Sequence, residues 1–184
     1  MSLPKFIARL AHKEFSIGRR MVMTACGGLL FVLTIPALLV WLSTLGSPAW
    51  RFSTSPPLAV ACSAVAFAGL LLAAWTVWTQ VRRGRGTPIP IMATQKLLVA
   101  GPYQLCRNPM ALGMILLYGG IAVCRASWIA VLAVLLFVVF LVVYLKLVEE
   151  KEMALRFGEQ YTHYKQSTPF LIPCRLGRSR RSDP

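Results

Sequence analysis

Four long apolar runs constrain this chain more than any other feature of its sequence. They cover about Met21 to Leu45, Leu58 to Val81, Pro109 to Cys124 and Trp128 to Val148. Apolar residues gathered in such runs, and not spaced around amphipathic faces, mark helices solvated by lipid. Of the 184 residues, 57% are hydrophobic and only 14% are charged, so a soluble core is not the expected outcome. The expected fold is all-α: a polytopic integral membrane protein of about four transmembrane helices, the last two forming a C-terminal helical hairpin. Residues 1–184 then make one membrane domain. It divides into an amphipathic segment with two spans (1–83), a core (84–173) and a basic tail (174–184).

The net charge of +14 would suggest nucleic acid in a soluble protein, but here the cations crowd beside the apolar runs. Five precede the first run, one (Arg51) follows it, five lie between the second and third, one (Arg125) follows the third, and eight follow from Lys146. This alternation of rich and poor connections, read by the positive-inside rule, puts both termini on the cytoplasmic side. Membrane orientation therefore accounts for the charge, and no nucleic-acid partner is expected. The five cysteines are an odd number without paired spacing, and His12 and His163 are the only histidines, so neither a disulfide frame nor a metal site is expected. The first twenty residues are amphipathic and basic. They read as a helix in the headgroup plane or a topology-setting leader, not as a cleavable signal.

Pro36 lies inside the first run and predicts a kink. The third run has 16 residues, about 24 Å of helix against a hydrocarbon core of about 30 Å. No run carries a charge at its centre, unlike a transporter. The polar information lies instead in the 86–108 connection and the 149–173 tail, on the cytosolic side. The hairpin brings the two together, which predicts a site at the membrane surface, served by a water-soluble molecule and a lipid-soluble one.

Within the connection, Asn108 before Pro109 is a helix start, asparagine capping and proline taking the first helical position. Free N–H groups there, with Arg107, suit a carboxylate; alone, the pair says no more than that a helix begins on the inner side. In the tail stand Glu149, Glu150 and Glu152, half of the six acids. Glu152 and Arg156 form a favourable i,i+4 pair, whereas Glu149 and Glu150 are left to bind hydroxyls or an ammonium. Gly158 is expected to end that helix. Tyr161, His163, Tyr164 and the Pro169–Pro173 stretch follow.

Gly101-Pro102-Tyr103, Arg107-Asn108-Pro109-Met110 with Leu112-Gly113, Glu149-Glu150, Phe157-Gly158, Tyr161, Tyr164 and Pro169–Pro173 together resemble the isoprenylcysteine carboxyl methyltransferase and phospholipid methyltransferase superfamily. The resemblance covers roughly residues 84–173. It implies an integral membrane enzyme using S-adenosylmethionine. The implied cofactor pocket consists of Gly101, Pro102, Tyr103, Arg107, Asn108, Pro109, Met110, Gly113, Glu149 and Glu150, with Arg107 and Glu150 as the catalytic pair. Two departures stand out: asparagine at 108 where many relatives have histidine, and Ala111 where many have tyrosine. The implied acceptor is lipophilic, either a prenylcysteine-like carboxylate or a phospholipid amine, reaching the site from the bilayer past Leu112 and Leu116, with Tyr161 and Tyr164 beside it. The chemistry suits these residues, because methyl transfer from an activated donor needs alignment and exclusion of water more than a large catalytic inventory. Two rival classes are a sterol-reductase-like enzyme using NADPH and a non-enzymatic membrane scaffold.

Overall fold

A computed structural model describes residues 17–83 and 97–173. The first sixteen residues of the basic leader, residues 84–96 of the loop and the 174–184 tail lie outside the described residues. The first span comprises α1 (Ile17–Gly28), a π-helical stretch (Leu29–Thr34) and α2 (Ile35–Leu42). The second is α3 (Pro56–Arg83), the third α4 (Pro109–Cys124) and the fourth begins as α5 (Trp128–Tyr144). A second π-helical stretch (Leu145–Glu149) joins α5 to α6 (Glu150–Ser167). Three of these helical stretches are long and apolar enough to cross a bilayer, and α4 is a shorter apolar helix of 16 residues. The all-α membrane architecture read from the sequence is therefore observed. The helical stretch from Trp128 to Ser167 has 40 residues, and the run of apolar residues in it gives way to Glu149 after Val148.

Pro36 acts one turn earlier than a simple kink would. Its ring would clash with the carbonyl four residues back, and the helix answers by widening over Leu29–Thr34, where the Ile35 N–H donates to Leu30 O, five residues back. In that register the carbonyl of Phe31 falls to Pro36, which has no N–H to give. The Tyr118 hydroxyl of α4 donates to Phe31 O at 2.7 Å instead. Tyr118 is 1% exposed, so one phenol both fills the bundle core and satisfies the carbonyl that proline orphaned.

The tightest helix pair is α3 with α4, and glycine makes it possible. A Cβ on Gly113 would stand 2.8 Å from Gly69 O, and one on Gly120 would stand 2.6 Å from Cys62 O. Backbones meet this closely in membrane bundles where small residues replace side chains at the seam. At the cation-poor end, Arg125 Nε donates to Ser43 Oγ at 3.0 Å and Arg51 Nη2 to Ser43 O at 3.4 Å. The single cations of the two poor connections thus converge on the end of the first span. Ser127 caps α5, accepting from Ala130 N at 3.4 Å.

Gly158 ends the helix that starts at Glu150, as expected, and a second helical segment follows it as far as Ser167. The Gly158 backbone (φ 50°, ψ −123°) breaks the helical path. A positive φ suits glycine, and the turn swings the second half of α6 back so that Tyr161 and Tyr164 are buried.

Candidate active site

Gly101, with φ 64°, opens a short 3-10 turn (Gly101–Gln104) that packs beside Thr79 of α3. Pro102 is buried in the turn, and Tyr103 projects from it. The Tyr103 hydroxyl accepts from Gln80 Nε2 at 2.6 Å, and its backbone carbonyl accepts from the Tyr164 hydroxyl at 2.6 Å. Burial lifts the Tyr103 phenol well above its ordinary value, the Gln80 hydrogen bond opposes this, and the Glu149 charge adds to it. Tyr103 is therefore a neutral hydroxyl at any physiological pH.

Arg107 is held from every side. Its Nη1 donates to Glu150 Oε1 at 2.6 Å and to Tyr161 Oη at 3.4 Å, its Nε donates to Thr168 O at 3.1 Å, and its backbone N–H donates to Pro169 O at 2.9 Å. Its guanidinium lies 5.5 Å from the Phe170 ring centroid, which Lys146 also faces at 5.3 Å. The Asn108 side chain makes no cap; Nδ2 donates to Phe170 O at 3.0 Å. The Arg107 Nε and backbone N–H and the Asn108 amide thus bind the Thr168–Phe170 carbonyls, which strap the tail across the start of α4.

The paired glutamates separate. Glu150 binds Arg107 and also Lys165 Nζ, at 2.6 Å each. Burial alone would raise its carboxyl, but the Lys165 hydrogen bond and the Arg107 charge hold it below the ordinary carboxylate value. Glu149 has neither partner. Burial, reinforced by the charge of Glu152, lifts its carboxyl from 4.5 to about 7. Glu152 pairs with Arg156 at 3.2 Å, as its spacing predicts.

Glu149 lines a cavity of about 480 Å³ with Gln80, Tyr103, Arg107, Asn108 and Tyr144, and with an apolar wall that includes Phe31, Met110, Met114 and Phe137. Pro109 and Ala111 complete the α4 side. The Oε1 of Gln80 is buried and has no partner. A second, apolar cavity of about 360 Å³ lies between the first and second spans, lined by Leu70, Ala74, Val77 and Trp78 among others. It shares Gly27, Phe31, Met110 and Met114 with the first.

Of the residues singled out in the sequence, Tyr103, Arg107, Asn108, Pro109, Met110 and Glu149 meet in this cavity. Gly101, Pro102 and Glu150 stand behind it and set its walls. Gly113 belongs to the glycine seam, and Leu112 and Leu116 line neither cavity, because α4 turns that side elsewhere; Leu116 Cβ abuts the Gly69 position. Tyr161 and Tyr164 hold Arg107 and the Tyr103 turn from outside the cavity. His163 lies in a separate open hollow with Gln104, Gln160 and Ser167. Sequence reasoning missed Gln80 and Tyr144. Each is a polar side chain near the cation-rich end of a span, a position where polarity signals use.

The phospholipid methyltransferase family profile matches residues 58–160, more than half of the chain. The chain belongs to that family. This family member is accordingly a membrane methyltransferase, within the wider isoprenylcysteine and phospholipid methyltransferase superfamily that its motifs resemble. No curated protein sequence matches it. The match takes in the second span as well as the motif-bearing half, which makes Gln80 part of the family's region. Among the described residues no group of three or more potential metal ligands occurs.

Proposed function

We propose that this protein transfers a methyl group from S-adenosylmethionine to the amine of a membrane lipid, at the cytosolic surface. The observation that carries the reading is the unpaired Glu149 carboxyl in a cavity whose lining arginine among the described residues, Arg107, is already neutralised by Glu150. A cavity with one uncompensated acid favours cationic guests. Cofactor and acceptor would both be cations here: a sulfonium with its ammonium, and a protonated lipid amine. A carboxylate acceptor would meet Glu149 with no unpaired cation among the described residues that line the cavity. NADPH is disfavoured on the same ground, since among the described lining residues its phosphates would find Arg107 alone.

The residues present suit the cofactor. Tyr103, Tyr144 and Phe137 are aromatic lining of the kind that suits a cation, Glu149 and the Gln80 Oε1 are acceptors for N–H or O–H groups, and Met110 and Met114 add apolar lining. S-adenosylmethionine, when bound, supplies a methyl group already activated by its sulfonium. The protein's share is to align, to exclude water and to remove a proton. A lipid ammonium must lose one before its nitrogen has a lone pair. With its carboxyl near 7, Glu149 can take that proton at neutral pH. The acceptor's chain would lie in the apolar cavity between the first and second spans. Its head would pass Phe31, Met110 and Met114 to reach Glu149. The Arg82 guanidinium, stacked 3.8 Å over the Trp78 ring, stands at the inner end of this path, suited to a lipid phosphate.

The test is a transfer assay with labelled S-adenosylmethionine and protein in liposomes, offering an aminophospholipid and a prenylcysteine analogue side by side. The reading expects label in the aminophospholipid, and loss of most of it in Glu149→Gln. Efficient methylation of the prenylcysteine carboxylate, with none of the amine, would show that the acceptor class is wrong.

A further inference from the structure

The glycine seam between α3 and α4 brings together two cysteines that the methyl-transfer reading does not use. Gly120 lets α4 approach so closely that a Cβ there would touch Cys62 O and Ala66 N of α3. One helical turn beyond Gly120, at the last residue of α4, stands Cys124. Its Sγ lies 3.4 Å from Ser63 Oγ and 3.5 Å from Ala59 O. Helical side chains lean toward the N-terminus, so the Cys62 side chain covers the turn that carries Ala59. Cys124 Sγ therefore packs against the turn of α3 that carries Cys62, and the two thiols lie at one level of the seam. Both are half-buried and reduced. Their end of the bundle is the cation-poor one, opposite the Asn108 end of α4. The charge rule assigns it to the outer face, where compartments permit disulfides.

We propose that Cys62 and Cys124 are a redox-active dithiol that closes to an intramolecular disulfide, cross-linking the second and third spans at the outer end of the seam. Closure needs a disulfide or diazene oxidant. With a disulfide oxidant, one thiolate attacks an oxidant sulfur and expels a thiol, giving a mixed disulfide. The second cysteine then attacks the first cysteine's sulfur, breaks the mixed bond and expels the second thiol. Two electrons and the two cysteine protons end on the oxidant, and one S–S bond remains on the protein. The ring so formed spans the Gly84–Lys96 connection and most of both helices, so opening one helix from the other would first require reduction.

The experiment oxidises the purified full chain in detergent with diamide, alkylates remaining thiols, and maps cysteine-containing peptides by mass. Cys26, which is exposed, and Cys106, which is buried, serve as internal references. The expected result is a Cys62–Cys124 cross-linked peptide, with loss of two hydrogens, reversed by dithiothreitol. The cross-linked protein should melt several degrees higher than the reduced one. In Cys62→Ser and Cys124→Ser variants the cross-link is absent and the surviving thiol is alkylated. Serine is close in size to cysteine, and gel filtration checks that each variant is folded. If both thiols in the wild type are alkylated after oxidation while Cys26 has reacted, the pair cannot close and the proposal is overturned. Cross-links to Cys26 or between chains, in place of Cys62–Cys124, overturn it equally.

Discussion

Glu149 makes a prediction with two readouts of opposite sign. Burial lifts its carboxyl from 4.5 to about 7, which means the folded protein disfavours the charge. The stability contributed by the neutral acid is complete below pH 4.5 and is lost as pH rises through 7. A shift of that size corresponds to roughly 3 kcal/mol. Glu149→Gln keeps the shape without the charge, so above pH 7 it should melt at a higher temperature than the wild type, and at pH 4 the two should coincide. Cation binding runs the other way, because the guest needs the carboxylate. With a group near 7, the apparent dissociation constant for S-adenosylmethionine should weaken about tenfold between pH 8 and pH 6. Glu149→Gln should flatten this dependence and bind about ten- to a hundredfold more weakly at pH 8, as for a lost hydrogen bond to a charged group. Thermal melting in detergent and isothermal titration at pH 4, 6 and 8 supply both readouts. A variant no more stable at pH 8, together with a pH-independent wild-type affinity, would refute the reasoning, because Glu149 would then be an ordinary solvated acid.

Glu150→Gln should weaken cofactor binding indirectly, by loosening Arg107, whereas Glu152→Gln should change it less than twofold; equal losses in a titration would contradict the different partners of the two acids. Tyr118→Phe orphans the Phe31 carbonyl and should destabilise by about 1 kcal/mol, between the ~0.6 typical of bonds inside bilayers and the ~1–3 for an orphaned buried acceptor. Unfolding in mixed micelles measures it, and an unchanged midpoint would mean that Phe31 finds another donor. Gly113→Val drives its Cβ toward the Gly69 and Ala73 backbones and should cost about 1–3 kcal/mol or prevent folding; wild-type yield and melting would show that the seam can part. Reporter fusions at Gly46 and Ser127 should signal from the outer side, and those at Gly84 and Pro184 from the inner side. An outward signal at Gly84 would reverse the assignment of the site to the cytosol.

The fold was legible where a residue's effect is local or one-dimensional. Run length and composition mark spans because lipid imposes a thickness, and Asn108-Pro109 begins α4 where it should. Glu152 and Arg156 pair because four residues along a helix is a fixed distance. What the sequence did not disclose lies in contacts with another element. Asn108 and Arg107 look free in the chain, but the Asn108 amide and the Arg107 Nε and backbone N–H bind the Thr168–Phe170 carbonyls, some sixty residues later. That contact depends on the reversal at Gly158, and a glycine permits such a bend without specifying where the chain then goes. Gly113 sits within a motif and reads as a ligand contact, yet a Cβ there meets the backbone of α3. Leu112 and Leu116 were placed by supposing which side of α4 meets lipid, and a nearly uniform apolar helix does not reveal its facing.

The two π-helical stretches explain how the site is made from so plain a sequence. Both border the cavity: Leu30 and Phe31 come from the first, Leu145 and Glu149 from the second. Neighbouring residues on a helix point about 100° apart, so Glu149 and Glu150 cannot serve the same partner. An extra residue in a turn rotates everything that follows relative to the span. In the second stretch the Glu150 N–H bonds to Leu145 O, five residues back, and this sets which acid looks inward. Glu150 then meets Arg107 and Lys165, and Glu149 is left to the cavity. A uniform α-helix carrying the same residues would turn Glu149 relative to the span by roughly one residue's rotation and separate it from Tyr103 and Gln80. The insertion in the first stretch follows from Pro36 and is legible. The second contains no proline and no glycine. There Arg107, from the connection before α4, and Lys165, from beyond the Gly158 reversal within α6, both hold Glu150 on the phase that leaves Glu149 to the cavity.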